Sequence, residues 1–116
     1  MKKVTMLFIV ITLLVGAGIQ PLIADEYPTR PIRMIVPFPP GGGNDLLARS
    51  ISQPLSQAIG QSVVVDNRGG AGGQIGATLA AAAAPDGYTI FLGSIGNLTF
   101  LPVLQSKLQY EPVRGF

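Results

Sequence analysis

The sequence predicts an α/β domain built on a parallel sheet. Three observations carry this. Short apolar, β-branched runs at 32–37, 62–66 and 88–92 alternate with stretches of helical periodicity. The connections between them are short. Each apolar run ends in a loop bearing glycine: Gly41-Gly42-Gly43, Gly69 to Gly73, and Gly93 to Gly96. Alternating strands and helices imply right-handed crossovers between parallel strands. In such sheets ligands bind at the carboxyl ends of the strands, where all three glycine loops fall.

The chain opens on a leader. Lys2 and Lys3 form a charged start, Val4 to Val15 an apolar core, and Gly16, Gly18 and Pro21 break the run before a cut expected after Ala24. Leu22 is an imperfect residue for that cut. The competing reading is an uncleaved anchor, since the uncharged stretch approaches the ~20 residues that span a bilayer. In either case the remainder is exported. Residues 1–24 are therefore expected to be a signal peptide, and the rest periplasmic.

Asp25 to Pro31 is a polar lead-in. Ile32 to Pro37 is the first predicted strand. Pro37, Pro39 and Pro40 end it, because proline cannot donate to a sheet ladder. Asn44 is the predicted N-cap of a helix over Asp45–Ile59. Leu47, Ile51, Leu55, Ala58 and Ile59 share one face of it. Gly60 ends it, and Pro54 is expected to kink or split it, since an interior proline costs ~3 kcal/mol. Ser62 to Asp66 is the second strand; Val63-Val64-Val65 predicts burial on both faces. A helix over Gln74–Ala84 follows, its alanines offering a smooth surface for close packing. Pro85-Asp86-Gly87 is a turn, Tyr88–Leu92 the third strand, and Leu98–Leu108 a short helix interrupted by Pro102.

Composition removes several function classes. The chain has 116 residues and a formal charge of +2, but the two leader lysines supply that excess, so there is no basic patch for nucleic acid. There is no cysteine, hence no disulfide, thiolate metal site or lipid attachment point, and no histidine to act as general base or zinc ligand. The dinucleotide fingerprint fails, because Ile75 stands where its last glycine should be. The phosphate-loop lysine is missing. Ser94 misses the nucleophile elbow, since Leu92 replaces a glycine. Neither a catalytic constellation, a metal site nor a cofactor is indicated.

What stays is an anion site. Exposed N–H groups of Gly41, Gly42 and Gly43, at the start of a helix, can hold a carboxylate or phosphate; a ligand-free turn is the plainer alternative. Asp45 is expected to stabilise the helix dipole by ~0.3–1 kcal/mol, or to meet a ligand amine or hydroxyl. Asp66 is expected to cap its strand or pair with Arg68. Arg68 could instead grip a ligand carboxylate, against the simpler reading of a solvated arginine. Asp86 is read as a turn former.

An ordered set of motifs then resembles a known family. Tyr27-Pro28-Thr29-Arg30-Pro31-Ile32-Arg33 and Val36-Pro37-Phe38-Pro39-Pro40-Gly41-Gly42-Gly43-Asn44-Asp45 open it. Gly60 to Gly73, Ala84-Pro85-Asp86-Gly87-Tyr88-Thr89 and Tyr110-Glu111-Pro112-Val113-Arg114 continue it. Together they resemble the Bug-type receptors, the periplasmic substrate-binding proteins of tripartite tricarboxylate transporters. The resemblance implies the parallel β-α-β-α-β start of a two-domain "Venus flytrap", with residues 25–116 the first part of domain I and the second domain absent. It implies a small organic anion as ligand (a dicarboxylate, tricarboxylate or amino acid), membrane permease subunits as partners, a monomer, and no enzymatic activity. It places Phe38, Gly41, Gly42, Gly43 and Asp45 on the first ligand loop, Ser94, Gly96 and Asn97 on another, and Gly72 and Gly73 along the same edge. Gly115 stands where the family often has an acid. The alternatives are a nucleotide- or phosphate-handling α/β enzyme domain, and a non-functional truncated remnant.

Overall fold

The computed structural model describes residues 26–116, so the leader lies outside the described residues. Three parallel strands form one sheet in the order β2-β1-β3: β1 Ile32–Val36, β2 Val63–Asn67 and β3 Thr89–Phe91. Helix α1 spans Gly43–Ile59, α2 Gln74–Ala81 and the short α3 Leu101–Leu104. A 3-10 turn at Ala71–Gly73 leads into α2, and a π turn at Gly96–Phe100 leads into α3.

β1 is central and almost wholly buried, as its β-branched composition demands. Alternation sends Ile32, Met34 and Val36 to one face, where they meet Ala48, Leu55 and Ile59 of α1 and Val63 and Val65 of β2. Ile35 points to the other face, on the side of α2, and is fully buried. The small residues of α2 let it come close: a Cβ on Gly76 would lie 2.7 Å from Pro37 Cα. The close packing expected of this helix is therefore concentrated at one glycine.

Several boundaries differ from expectation. β1 stops at Val36, β2 runs one residue further, to Asn67, and β3 is shorter than Tyr88–Leu92. The N-cap of α1 is Gly42, not Asn44. Asp45 folds back to accept the Gly41 N–H at 2.9 Å, a variant of the capping box that starts the helix early. Pro54 does not split α1. The carbonyl it frees belongs to Ser50, and both residues are exposed, so water can satisfy it. β2 is not buried on both faces: as an edge strand it leaves Val64 53% exposed. α2 ends at Ala81, and Ala83 N–H bonds back to Ala80 in a closing turn. The predicted Leu98–Leu108 helix is a π turn followed by one helical turn, with Pro102 tolerated near its start.

Candidate functional site: a loop edge

The register aligns the strand ends. Val36 faces Asn67, and Ile35 faces Phe91, so the loops after all three strands emerge on one edge. Backbone bonds lock them there. Arg68 N–H donates to Val36 C=O at 2.7 Å, and Leu92 N–H to Ile35 C=O at 3.0 Å.

The first loop, Pro37 to Gly42, is pinned at both ends. Asn67 Nδ2 donates to Phe38 C=O at 3.1 Å, and Asp45 Oδ2 accepts from Gly41 N–H at 2.9 Å. Beyond it, the first helical bond runs from Leu46 N–H to Gly42 C=O. The N–H groups of Gly43, Asn44 and Asp45 therefore have no intrahelical acceptor. Asp45 itself is buried and fully engaged. Besides Gly41 it accepts Arg49 Nε at 3.1 Å and Asn67 Nδ2 at 3.0 Å. The Arg49 hydrogen bond, then that of Gly41, holds its carboxyl at about 2. The side chain expected to choose between dipole and ligand is thus the fastening of the loop. Gly41 likewise gives its N–H to Asp45, which leaves Gly42 and Gly43 as the glycines with open backbone.

The third loop is built around Asn97, which is fully buried. Its Oδ1 accepts Ser94 N–H at 2.9 Å, and its carbonyl accepts the Tyr110 hydroxyl. Three side-chain polar atoms among the described residues are buried with no partner: Ser94 Oγ, Asn97 Nδ2 and, in α2, Thr78 Oγ1. The first two sit on the loop edge. Gly96 opens the π turn that carries Asn97.

The second loop closes against both others. A Cβ on Gly69 would lie 3.0 Å from Pro39 N, and one on Gly73 3.4 Å from Pro37 Cβ. Gly73 therefore joins the same edge, with Gly72 beside Leu101. Arg68 is not free for a ligand: it pairs with Asp66 at 2.8 Å, on the sheet face where Arg33 also binds Asp66. Burial works against ionisation of Asp66, but the hydrogen bonds of Arg33 and Arg68 prevail and lower its pKa. Asp86 holds the Tyr88 N–H at 3.0 Å, as a turn former does, and also pairs with Arg30 at 2.9 Å. Among the described residues no group of three acids, histidines or cysteines could hold a metal ion. A groove of about 730 Å³ between the alanines of α2, β3 and Phe116 contains none of the expected ligand residues.

Sequence reasoning missed Arg49 and Asn67. The i,i+4 spacing of Asp45 and Arg49 was a usable signal. Asn67 had none, because its partners lie far away along the chain.

Many α/β proteins bind ligands at such an edge, and solved structures similar to this chain include periplasmic binding proteins. The chain superposes on the periplasmic binding protein BugD with TM-score 0.74 at 47% identity, covering 78% of this chain and 30% of that one. It superposes on MatC from Rhodopseudomonas palustris with bound malate with TM-score 0.74 at 39% identity, covering 78% and 31%. An R. palustris protein solved with adipate gives TM-score 0.71 at 41% identity, covering 74% and 29%. Residues 47–116 match the model of the tripartite tricarboxylate transporter family receptor, and the chain belongs to that family. It is 50% identical to BugT of Bordetella pertussis over 114 residues, 93% of this chain and 35% of BugT. It is 57% identical over 95 residues to a Pseudomonas protein from the tcbD-tcbE intergenic region, 79% of this chain and 27% of that protein. The chain thus spans about a third of the length of the curated relatives it matches.

Proposed function

We propose that this chain carries one wall of the ligand cleft of an exported solute receptor for small organic carboxylates. Phe38, Gly42, Gly43 and the opening N–H groups of α1 form the first part of that wall, with Ser94, Gly96 and Asn97 beside them. Gly41 and Asp45 shape it from behind. The observation that carries the reading is the pair of unpartnered buried groups, Ser94 Oγ and Asn97 Nδ2, on the edge where the helix start presents its N–H groups. A buried polar atom without a partner costs ~1–3 kcal/mol, and a ligand oxygen would relieve it. Backbone N–H groups can hold an anion without a cationic side chain, which suits an edge whose nearest arginines are engaged with Asp45 and Asp66.

The malate and adipate in related structures support a dicarboxylate as the ligand class. Binding without catalysis, closure of a second domain over the ligand, and delivery to a membrane permease complete the proposed mechanism. Residues 1–24 act in it as the export signal, and the periplasm is its compartment. The test is a thermal-shift series on the chain with malate, adipate, succinate, aspartate, ATP and NAD. Stabilisation by one or more organic acids is expected. Stabilisation by ATP or NAD, with none by the acids, would favour the nucleotide-handling reading instead.

A further inference from the structure

We propose that Asn67 is a positioning residue: from the end of β2 it sets the shape of the first ligand loop and so decides which N–H groups that loop offers. The inference rests on the functional reading above.

The loop between Phe38 and Gly41 consists of Pro39 and Pro40, neither of which has an N–H to anchor it. The carbonyl at its entry and the amide at its exit are both held. The Asn67 amide nitrogen has two protons. One goes to Phe38 C=O at 3.1 Å, the other to Asp45 Oδ1 at 3.0 Å. Asp45 in turn holds Gly41 N–H at 2.9 Å. Arg49 closes the ring, with its NH2 group 3.0 Å from Asp45 Oδ1. One side chain therefore ties both ends of the turn to the edge strand. The fastened turn directs Gly41 N–H inward and leaves those of Gly43, Asn44 and Asp45 for a ligand. Arg49 also offsets the Asp45 charge, which would otherwise repel an anion bound at the start of α1.

The test is Asn67→Asp, which keeps the shape, removes both donor protons and puts a second carboxylate against Asp45. The charged groups facing that position are Asp45 and Arg49 of α1. Asp66 and Arg68, its neighbours in sequence, pair with each other on the opposite sheet face. Amide hydrogen exchange at Gly41, read by NMR in the ligand-free chain, is the measurement. At pH 7 the Gly41 amide is expected to lose roughly tenfold protection, the loss of one charge-assisted hydrogen bond, while Leu55 within α1 keeps its own. At a pH of about 4 the introduced carboxyl becomes protonated and donates again, so protection corrected for intrinsic rate recovers in part. Arg49→Lys, on an exposed side chain, provides a second variant should the first destabilise the sheet; it should weaken Gly41 protection in the same direction by less. Unchanged Gly41 protection in Asn67→Asp overturns the proposal. So does an equal loss at Gly41 and Leu55 in both variants. Because the readout needs no ligand, it stands or falls separately from malate binding. If malate fails to stabilise the unsubstituted chain, the receptor reading fails while the Gly41 result still reports on Asn67.

Discussion

The side-chain nitrogen of Asn97 lies 3.0 Å from the point where a Cβ on Gly73 would project. This contact brings the loops after β2 and β3 together, and Gly73 also adopts φ +94, which disfavours any side chain. Gly73→Ala is expected to destabilise the chain by about 2 kcal/mol, from the left-handed backbone plus the displacement of Asn97. Gly60→Ala is the control. It has φ +71 but open space around it, so about 1 kcal/mol is expected. Urea midpoints measure both. Equal losses would show that the Asn97 contact contributes nothing.

Gly76→Ala tests the approach of α2 to the end of β1. A glycine-to-alanine change inside a helix ordinarily gains about 1 kcal/mol. Here the added Cβ would meet Pro37 Cα at 2.7 Å and Arg68 C=O at 2.8 Å, both backbone atoms that cannot turn aside. Overpacking of this kind costs ~1–3 kcal/mol, so net destabilisation is expected in the same urea titration. A stabilised variant would mean that α2 can slide on the sheet.

How much of this was legible in the sequence depends on the kind of interaction. The three strands, their parallel order and the shared loop edge follow from local signals: β-branched runs, helical spacing and glycine punctuation. Gly60 as helix stop and Asp86 as turn former are equally local. The failures come from strand order and from side-chain hydrogen bonds, near and far along the chain. Val63-Val64-Val65 looks like a doubly buried strand until the sheet order makes it an edge. Asn44 has the chemistry of an N-cap, yet the Asp45 side chain reaches Gly41 and moves the start of α1. The fastening of Asp45 by Asn67 joins residues that no periodicity relates. The loops at the strand ends were legible, whereas Arg49 and Asn67, which help hold the first of them in place, were not.

Acid should weaken the fold through Asp45. Its carboxyl is held down from 3.8 to about 2, first by the Arg49 hydrogen bond and then by Gly41. The unfolded chain therefore binds this proton more readily than the folded one. Stability is complete above about pH 4 and falls as pH drops toward about 2. Asp66, also lowered, adds a loss in the same direction. Melting temperatures between about pH 2 and pH 6 should show a shallower slope in Asp45→Asn, at lower overall stability. An identical slope in the two chains would contradict the assignment of Asp45 as an ionised loop fastening.

Ser94→Ala separates a ligand-facing group from a structural one. A hydroxyl that stabilises the fold has a partner, and its removal leaves that partner unsatisfied. Ser94 Oγ is buried with none. The bond that shapes its loop is made by the Ser94 backbone N–H to Asn97 Oδ1 at 2.9 Å, which alanine retains. Replacing the hydroxyl should therefore leave urea stability unchanged or raise it by up to ~1 kcal/mol, since an unsatisfied polar group is removed. If the hydroxyl meets a carboxylate, the same change should weaken malate or succinate binding by roughly ten- to a hundredfold, the worth of a hydrogen bond to a charged group. Calorimetric titration with those two acids, alongside the urea curves, reads both quantities. The expected signature is opposite signs: stability held or raised, affinity lowered. A variant that loses stability while binding unchanged would place Ser94 in the scaffold. The ligand wall would then reduce to the glycines, the start of α1 and Asn97.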